Sequence, residues 1–587
     1  MPGDQSPTVI LYDKKPGEWR HYEDPVEVIA VYEIGEVWDA MVRFRHLVIR
    51  EQFFGAGFVS YEAAPAFDQA LRTKPGADIP LVWFGLFRKC RPSRKLLRPG
   101  PENFVLNRWR SEVTPEEYSK SLHKIRKELS VGNTYQVNYS YRQRASFHGD
   151  PFSLFYEMTA HGSPPDYAAY LSTEDFTLCS ASPELFFRHE NSELFSEPMK
   201  GTRARGRTLT EDRGLSADLY YSEKDRAENV MIVDMVRNDM GRIAQTGSVT
   251  VPHLYEIRKY PTVWQMISQV KCRTNAPLEE VFKAMFPCAS VTGAPKASTM
   301  EIIAVLEKSP RKIYTGSIGF FDPDGAAQFN VAIRTALIDK NIHQIEYGTG
   351  GGIIWDSSPE SEFRETLDKT KAITNPEPEF LLLETLLWEP EDGFYLLPYH
   401  ITRLQESAQY FGFQFSKQSI LEALKKQSEQ FAAISVRVRL LLSRNGEMSI
   451  QNHKVNSDNS LPVQVALART PVDRENRFLY HKTTCRSFYN SIRSETEEAD
   501  EILLWNENGE MTESTIANLV ISWKKKLITP PISCGLLPGT MRQYLLEQGT
   551  ITEAIITREM LATTDQIFLI NSVRKWRKAE LISPSGQ

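Results

Sequence analysis

The chain has 587 residues, 41% of them hydrophobic and 25% charged, and a formal net charge of −6. That length exceeds one ordinary core and predicts two or more domains of a soluble globular protein. A mildly acidic balance without a long basic run argues against nucleic-acid binding, and no apolar run approaches the ~18 residues of a membrane span. The start, Met1-Pro2-Gly3-Asp4-Gln5-Ser6, lacks the basic and apolar pattern of a secretory signal. Cys90, Cys179, Cys272, Cys288, Cys485 and Cys534 form no C-x-x-C pair, so they read as reduced thiols of a cytoplasmic protein.

Residues up to about 110 read as mixed strand and loop. A helix is expected from Pro115 to Leu129, with Thr114 as N-cap and Tyr118, Leu122, Ile125 and Leu129 on one face. Gly132-Asn133 turns the chain into a strand where Tyr135, Val137, Tyr139 and Tyr141 alternate with Gln136, Asn138 and Ser140. By pattern alone the polar side is as well a wet edge as a site.

The stretch Glu197-Pro198-Met199-Lys200-Gly201-Thr202-Arg203-Ala204-Arg205-Gly206 presents Lys200 from a tight turn with two arginines close behind. Freeing such an amine at neutral pH costs roughly 4–5 kcal/mol from its reference value. Nearby cations such as Arg203 and Arg205, or partial burial, reduce that cost. Taken alone, the stretch reads first as a solvated basic loop.

Ser222-Glu223-Lys224-Asp225 opens a helix that carries Glu228 within its first two turns and runs to Gly241, a C′ glycine. Thr292-Gly293-Ala294-Pro295-Lys296 is a turn ending in a cation, and Tyr314 and Arg334 follow. Gly348-Thr349-Gly350-Gly351-Gly352 is backbone able to approach a ligand closely. Ser358-Pro359 starts a helix on which Glu362 and Glu365 share a face, two carboxylates that repel unless a cation sits near them. Individually, Glu228 and Arg334 read as surface residues.

Two prolines and two acids make Thr374–Glu379 a stiff hinge, which gives domains at 1–373 and 380–587 joined by a linker at 374–379. Beyond it, Arg403 lies on or just before an amphipathic helix and Val436–Leu441 alternates as a strand. Lys482 follows an apolar segment, a place more often filled by a surface lysine. Glu513 and Asn518 fall in Gly509–Leu519, and Gly539-Thr540 follows Leu536-Leu537-Pro538.

These motifs resemble two families. Pro198-Met199-Lys200-Gly201-Thr202-Arg203 resembles the signature of the chorismate-utilising enzymes, in the variant carried by aminodeoxychorismate synthase component I, and the set of motifs spans about 120–370. The resemblance implies that Lys200 attacks the chorismate ring, where anthranilate synthases carry alanine. It implies ammonia as the nucleophile, because Gln136 stands where water-adding members carry a lysine base. It further implies that Thr292 lies in a family turn at the substrate, that Tyr314, Arg334 and Gly351 hold the substrate carboxylates, and that Glu228, Glu362 and Glu365 bind Mg²⁺. The chain departs from the family at Gln265, usually a histidine beside the ring; an amide cannot exchange a proton near neutral pH.

From 380 on, the chain resembles the class IV aminotransferases. That implies pyridoxal 5′-phosphate in Schiff-base linkage to Lys482, a phosphate grip from Arg403 with Gly539 and Thr540, Asn518 in the partner motif, and Glu513 on the pyridine nitrogen. The expectation is an α+β chain: a chorismate-utilising fold followed by a D-amino-acid-aminotransferase-like domain through which a homodimer could form. Together they would make 4-aminobenzoate for folate through 4-amino-4-deoxychorismate and its elimination of pyruvate. No cysteine sits in a Gly-x-Cys-x-Gly elbow, so a separate glutamine amidotransferase subunit would supply the ammonia. The alternatives are an anthranilate synthase fused to a D-amino-acid or branched-chain transaminase, and a scaffold protein with one inactive site.

Overall fold

The computed structural model describes residues 7–76, 78–100, 104–160, 164–374, 378–455, 461–494 and 499–582, so the centre of the expected linker lies outside the described residues. The chain divides into two compact units: Met1–Arg203 with Asp218–Glu377, and Ala204–Ala217 with Pro378–Gln587. Both mix helix and strand, giving the α+β class. No helix among the described residues is long and apolar enough to cross a membrane. All six cysteines are free thiols.

In the first unit, the helix Pro115–Ser130 begins at Thr114, which forms a full capping box with Glu117. Its Tyr118, Leu122 and Ile125 are buried against Val137, Tyr139 and Tyr141 of the strand Gln136–Gly149. Tyr135 does not join that face: it precedes the strand and is 66% exposed. The polar side of the strand is no wet edge, since Gln136 and Ser140 are fully buried. The strand is central, paired on one side with Gln344–Ile353, in the register Gly351↔Tyr139 and Gly352↔Asn138. On its other side Gly293-Ala294 meets Val137 and Gln136. Two glycine-bearing segments are thereby laid along one polar strand.

Ser222 caps the helix Glu223–Gly241 by accepting from the Asp225 N–H. Gly241 is its last helical residue instead of the C′ glycine expected, and Arg242 is the C-cap. Ile232, Val233, Val236 and Met240 of this helix are in the main apolar cluster, so Glu228 is fixed by a buried stripe on its own helix. The helix Pro359–Thr374 starts after Ser358, whose hydroxyl accepts from the Ser361 N–H.

The second unit has a four-stranded sheet in the order Gly393–Phe394, Leu382–Glu389, Val436–Leu442, Met448–Lys454, and an eight-stranded sheet. Val436, Val438, Leu440 and Leu442 are buried with Leu382 and Leu386, the alternation expected of a half-buried strand. The segment Ala204–Ala217 belongs to this unit. Within it, Arg205 and Asp212 make a buried ion pair at 2.7 Å, and the Tyr410 hydroxyl donates to the Gly206 carbonyl. His481 Nε2 lies 3.1 Å from the Arg207 carbonyl, and Ser407 Oγ lies 3.0 Å from its Nδ1.

Candidate active sites

Lys200 lies on the strand Met199–Ala204, its side chain 16% exposed. The following Gly201 has φ +99°, a left-handed conformation that favours glycine. Lys200 Nζ is 3.4 Å from Glu228 Oε2. A Cβ on Gly352 would collide with that Nζ and with the Gln136 amide, so glycine is what lets strand, lysine and amide meet. Both polar atoms of the Gln136 side chain are buried without a hydrogen-bond partner. A buried unsatisfied amide is costly, so its donor and acceptor are available to a ligand.

Three carboxylates stand around this point. Glu362 Oε2 lies 3.3 Å from where a Gly351 Cβ would be, and both Glu362 and Glu365 feel the Lys200 charge. Burial, and then the Glu365 charge, raise the Glu362 carboxyl above its ordinary range. The Lys369 ammonium, 2.8 Å away, holds Glu365 below it. Among the described residues no three His, Cys, Asp or Glu side chains close up as a finished metal cage. The carboxylates are instead ranged about the Lys200 ammonium. In kind they suit a hard cation that keeps its own waters.

The arginines behind Lys200 have carboxylates of their own. Arg203 pairs with Asp225 at 2.7 Å, while Arg205 turns into the second unit with Asp212. Thr292 is buried and spends its hydroxyl on the Cys288 and Ala289 carbonyls. Tyr314 is buried, its hydroxyl pushed up to about 12 by burial, under the Arg142 guanidinium. Arg334 adopts φ 51°, unusual for a side-chain-bearing residue, and its guanidinium forms no hydrogen bond or ion pair among the described residues. Its charge reaches Tyr347, as does that of Tyr314, which places the two near one ring.

Glu184 has no role assigned by the motifs, yet it belongs to this site. It is buried, accepts from Ser290 Oγ at 2.6 Å, and feels the Lys200 charge. Burial pushes its carboxyl up to about 7. A glutamate following Ser182-Pro183 in an otherwise apolar strand pair is the one signal the sequence offers for it.

In the second unit, burial lowers the Lys482 ammonium to about 8, and the Arg403 guanidinium adds to the effect. Arg403 makes two bonds to Glu384, at 2.9 and 2.6 Å, and donates to the Pro538 carbonyl. Glu384 also meets His400 Nδ1 at 2.6 Å and is held at about 2 by these partners against its burial. His400 Nε2 lies 3.3 Å from the Thr540 hydroxyl, at the start of the helix Thr540–Glu547. Glu513 accepts from the Tyr489 hydroxyl at 2.8 Å and the Asn518 amide at 3.2 Å, and burial raises it to about 7. Asn518 also donates to the Leu537 carbonyl, joining Glu513 to the Leu536–Thr540 turn. Glu384, His400 and Tyr489 have no assignment from sequence; only Glu384, a charge inside an apolar strand, leaves a local sign there.

The lysine amine, the buried Glu513 and the N–H groups at Gly539-Thr540 fit pyridoxal phosphate by donor chemistry, with the phosphate at a helix N-terminus.

Comparisons with known proteins agree with both halves. Residues 6–375 match the family model described as chorismate binding enzyme, and residues 381–582 match amino-transferase class IV. Anthranilate synthase component 1 of Aquifex aeolicus is 40% identical over 268 residues, 45% of this chain and 53% of that protein. Aminodeoxychorismate synthase component 1 of Salmonella typhimurium is 38% identical over 270 residues, 46% of this chain and 59% of that protein. The chain thus spans about half the length of the curated relatives it matches. Anthranilate synthase component I from Streptococcus pneumoniae shares the fold, with TM-score 0.53 and 21% identity over 64% of this chain and 94% of that one.

Proposed function

The chain belongs to the chorismate binding enzymes and carries an amino-transferase class IV domain behind them, and from that premise we propose that it makes 4-aminobenzoate in two steps. The first unit aminates chorismate to 4-amino-4-deoxychorismate; the second eliminates pyruvate from that product. Relatives of both names, anthranilate synthase and aminodeoxychorismate synthase, match at like identity, so overall similarity does not choose between them. The observation that carries the choice is Lys200, whose amine stands among carboxylates beside an unsatisfied amide.

In this reading the free Lys200 amine forms a bond to a ring carbon while the C4 hydroxyl leaves. Glu184, a carboxyl that still holds its proton near neutral pH, supplies the proton that makes the leaving group water. Ammonia then bonds to C4, the lysine–carbon bond breaks, and the spare proton returns to the Glu184 carboxylate. Gln136 offers a carbonyl to ammonia and an N–H to the substrate. Arg334 and the Gly351 backbone grip the substrate carboxylates. Glu228, Glu362 and Glu365 would hold Mg²⁺, which would anchor a ring carboxylate and steady the departing oxygen.

In the second unit Lys482 is the proton carrier. Pyridoxal phosphate, when bound, supplies the electron sink. Glu513, held by Tyr489 and Asn518, shares a proton with the pyridine nitrogen. Arg403, locked by Glu384, and the Gly539-Thr540 N–H groups take the phosphate. Ammonia would come from a separate glutamine amidotransferase, the partner implied by component 1 relatives.

The test is product identity. Pure protein with chorismate, ammonium, Mg²⁺ and pyridoxal phosphate should yield 4-aminobenzoate and pyruvate by mass. Anthranilate as the main product would overturn the reading.

A further inference from the structure

The strand Met199–Ala204, which carries Lys200 and pairs with Val263–Arg273, is also held by side-chain amides. Asn229 Nδ2 donates to the Lys200 carbonyl at 3.2 Å, and Asn229 is itself fixed by the Ser268 hydroxyl at 2.5 Å. Gln265, on the strand Val263–Arg273, reaches the next two residues with both ends of its amide. Its Nε2 donates to the Gly201 carbonyl at 3.0 Å, and its Oε1 accepts from the Thr202 hydroxyl at 3.0 Å. Three consecutive residues, Lys200, Gly201 and Thr202, are thus each tied down by an amide from another element.

The tie has a reason in the backbone. Gly201 sits at φ +99° inside the strand, where glycine has the widest freedom and the backbone is easily redirected. A Cβ there would come within 3.1 Å of the Asp225 side chain, so this point of the strand cannot be stiffened by a larger residue. Beyond the backbone pairing to Val263–Arg273, further stiffness comes from side-chain partners that donate and accept at once. An amide does this at every pH of interest, whereas a carboxylate would set a charge against the Gly201 carbonyl and lose the donor.

We propose that Gln265 is a positioning residue for the Lys200 amine: its two-ended hydrogen bonding holds the Gly201–Thr202 backbone of the strand so that Nζ is presented to the substrate. This rests on the amination reading above. Gln265 neither gives nor takes a proton in this role. It acts through Lys200, and so has no effect of its own once that amine is gone. The position where the family resemblance expects a proton-exchanging histidine is here used for mechanical support.

The test is a double-mutant cycle on the full chain, with ammonium as nitrogen source. Wild-type protein that makes no 4-amino-4-deoxychorismate would remove the amination reading itself, before any variant is compared. Given that product, Gln265→Met should lower kcat at least about tenfold while KM for chorismate stays within about twofold, the pattern of an interaction that acts on the chemical step. Gln265→Glu should lose as much. In the Lys200→Ala background, the residual consumption of chorismate should be the same with and without Gln265→Met, because the supported amine is absent. An equal fold loss in both backgrounds would overturn the proposal, as would a rise in KM with kcat intact. If the Lys200→Ala residual is too slow to measure, chorismate binding by intrinsic fluorescence decides: unchanged affinity in Gln265→Met supports the role, and weakened affinity in step with kcat defeats it.

Discussion

The two candidate catalytic lysines, Lys200 and Lys482, stand in opposite surroundings. Lys482 is buried beside the Arg403 guanidinium and lowered to about 8, so its own site makes the proton easier to remove. Lys200 is faced by Glu228 at 3.4 Å, with Glu362 and Glu365 in range, and the arginines that follow it are neutralised by Asp225 and Asp212. One site readies its amine by burial and a like charge; the other surrounds it with carboxylates. The lesson is that the same residue type, found by motif in both halves, is set to work by partners far away in the chain.

The largest test of this contrast removes the second lysine. Lys482→Ala should lose the near-ultraviolet or visible band of the cofactor and all pyruvate release, while 4-amino-4-deoxychorismate accumulates, since the first unit needs no pyridoxal phosphate. Borohydride reduction of reconstituted wild-type protein should label Lys482; a label on another lysine refutes the assignment.

Removing a carboxylate should sharpen the other side. Glu228→Gln and Glu365→Gln should each abolish chorismate turnover at ordinary Mg²⁺ and leave lyase activity intact. Full activity in either variant would take that residue out of the site.

Glu184 tests the proton supply. Glu184→Gln should cut amination by about 10²–10⁴-fold, the usual worth of a general acid. The sign of the pH effect follows from its raised value: the acid form is present below about 7 and lost above it. The wild-type chemical rate limited by proton donation should thus fall as pH rises through about 7, and Glu184→Gln should flatten that limb. A limb that persists in the variant assigns it elsewhere.

The smallest effect belongs to Tyr489→Phe. It removes one neutral donor from Glu513, worth about 0.5–1.5 kcal/mol, so cofactor affinity should weaken by up to about tenfold. Amination should not change.

Local order is readable from residues alone where short-range rules decide it. The Thr114 cap, the helix beneath it and the Val436–Leu442 alternation are all as the pattern implies. Tyr135 departs from its pattern because the alternation continues one residue beyond the pairing, and only the Gly293-Ala294 partner sets where the strand begins. The polar side of that strand is ambiguous in sequence for the same reason: its burial depends on Gln344–Ile353, some two hundred residues away. Arg205 illustrates a further limit. Close behind Lys200 in sequence it looks like a companion of that amine, yet Asp212 and the Tyr410 carbonyl draw it into the second unit. Glu384, His400 and Tyr489 gain meaning only through Arg403, Thr540 and Glu513, contacts that no spacing reveals.

The central claim is that Lys200 bonds to the ring, and mass spectrometry tests it most directly. Protein stopped in the presence of chorismate and Mg²⁺ but without ammonia should carry chorismate less water on the peptide containing Lys200, and adding ammonium should discharge it. Lys200→Arg should carry no adduct and turn over no chorismate, because a guanidinium stays protonated. A Lys200→Arg protein working near the wild-type rate would show that this position supplies charge only, and the covalent route would fall.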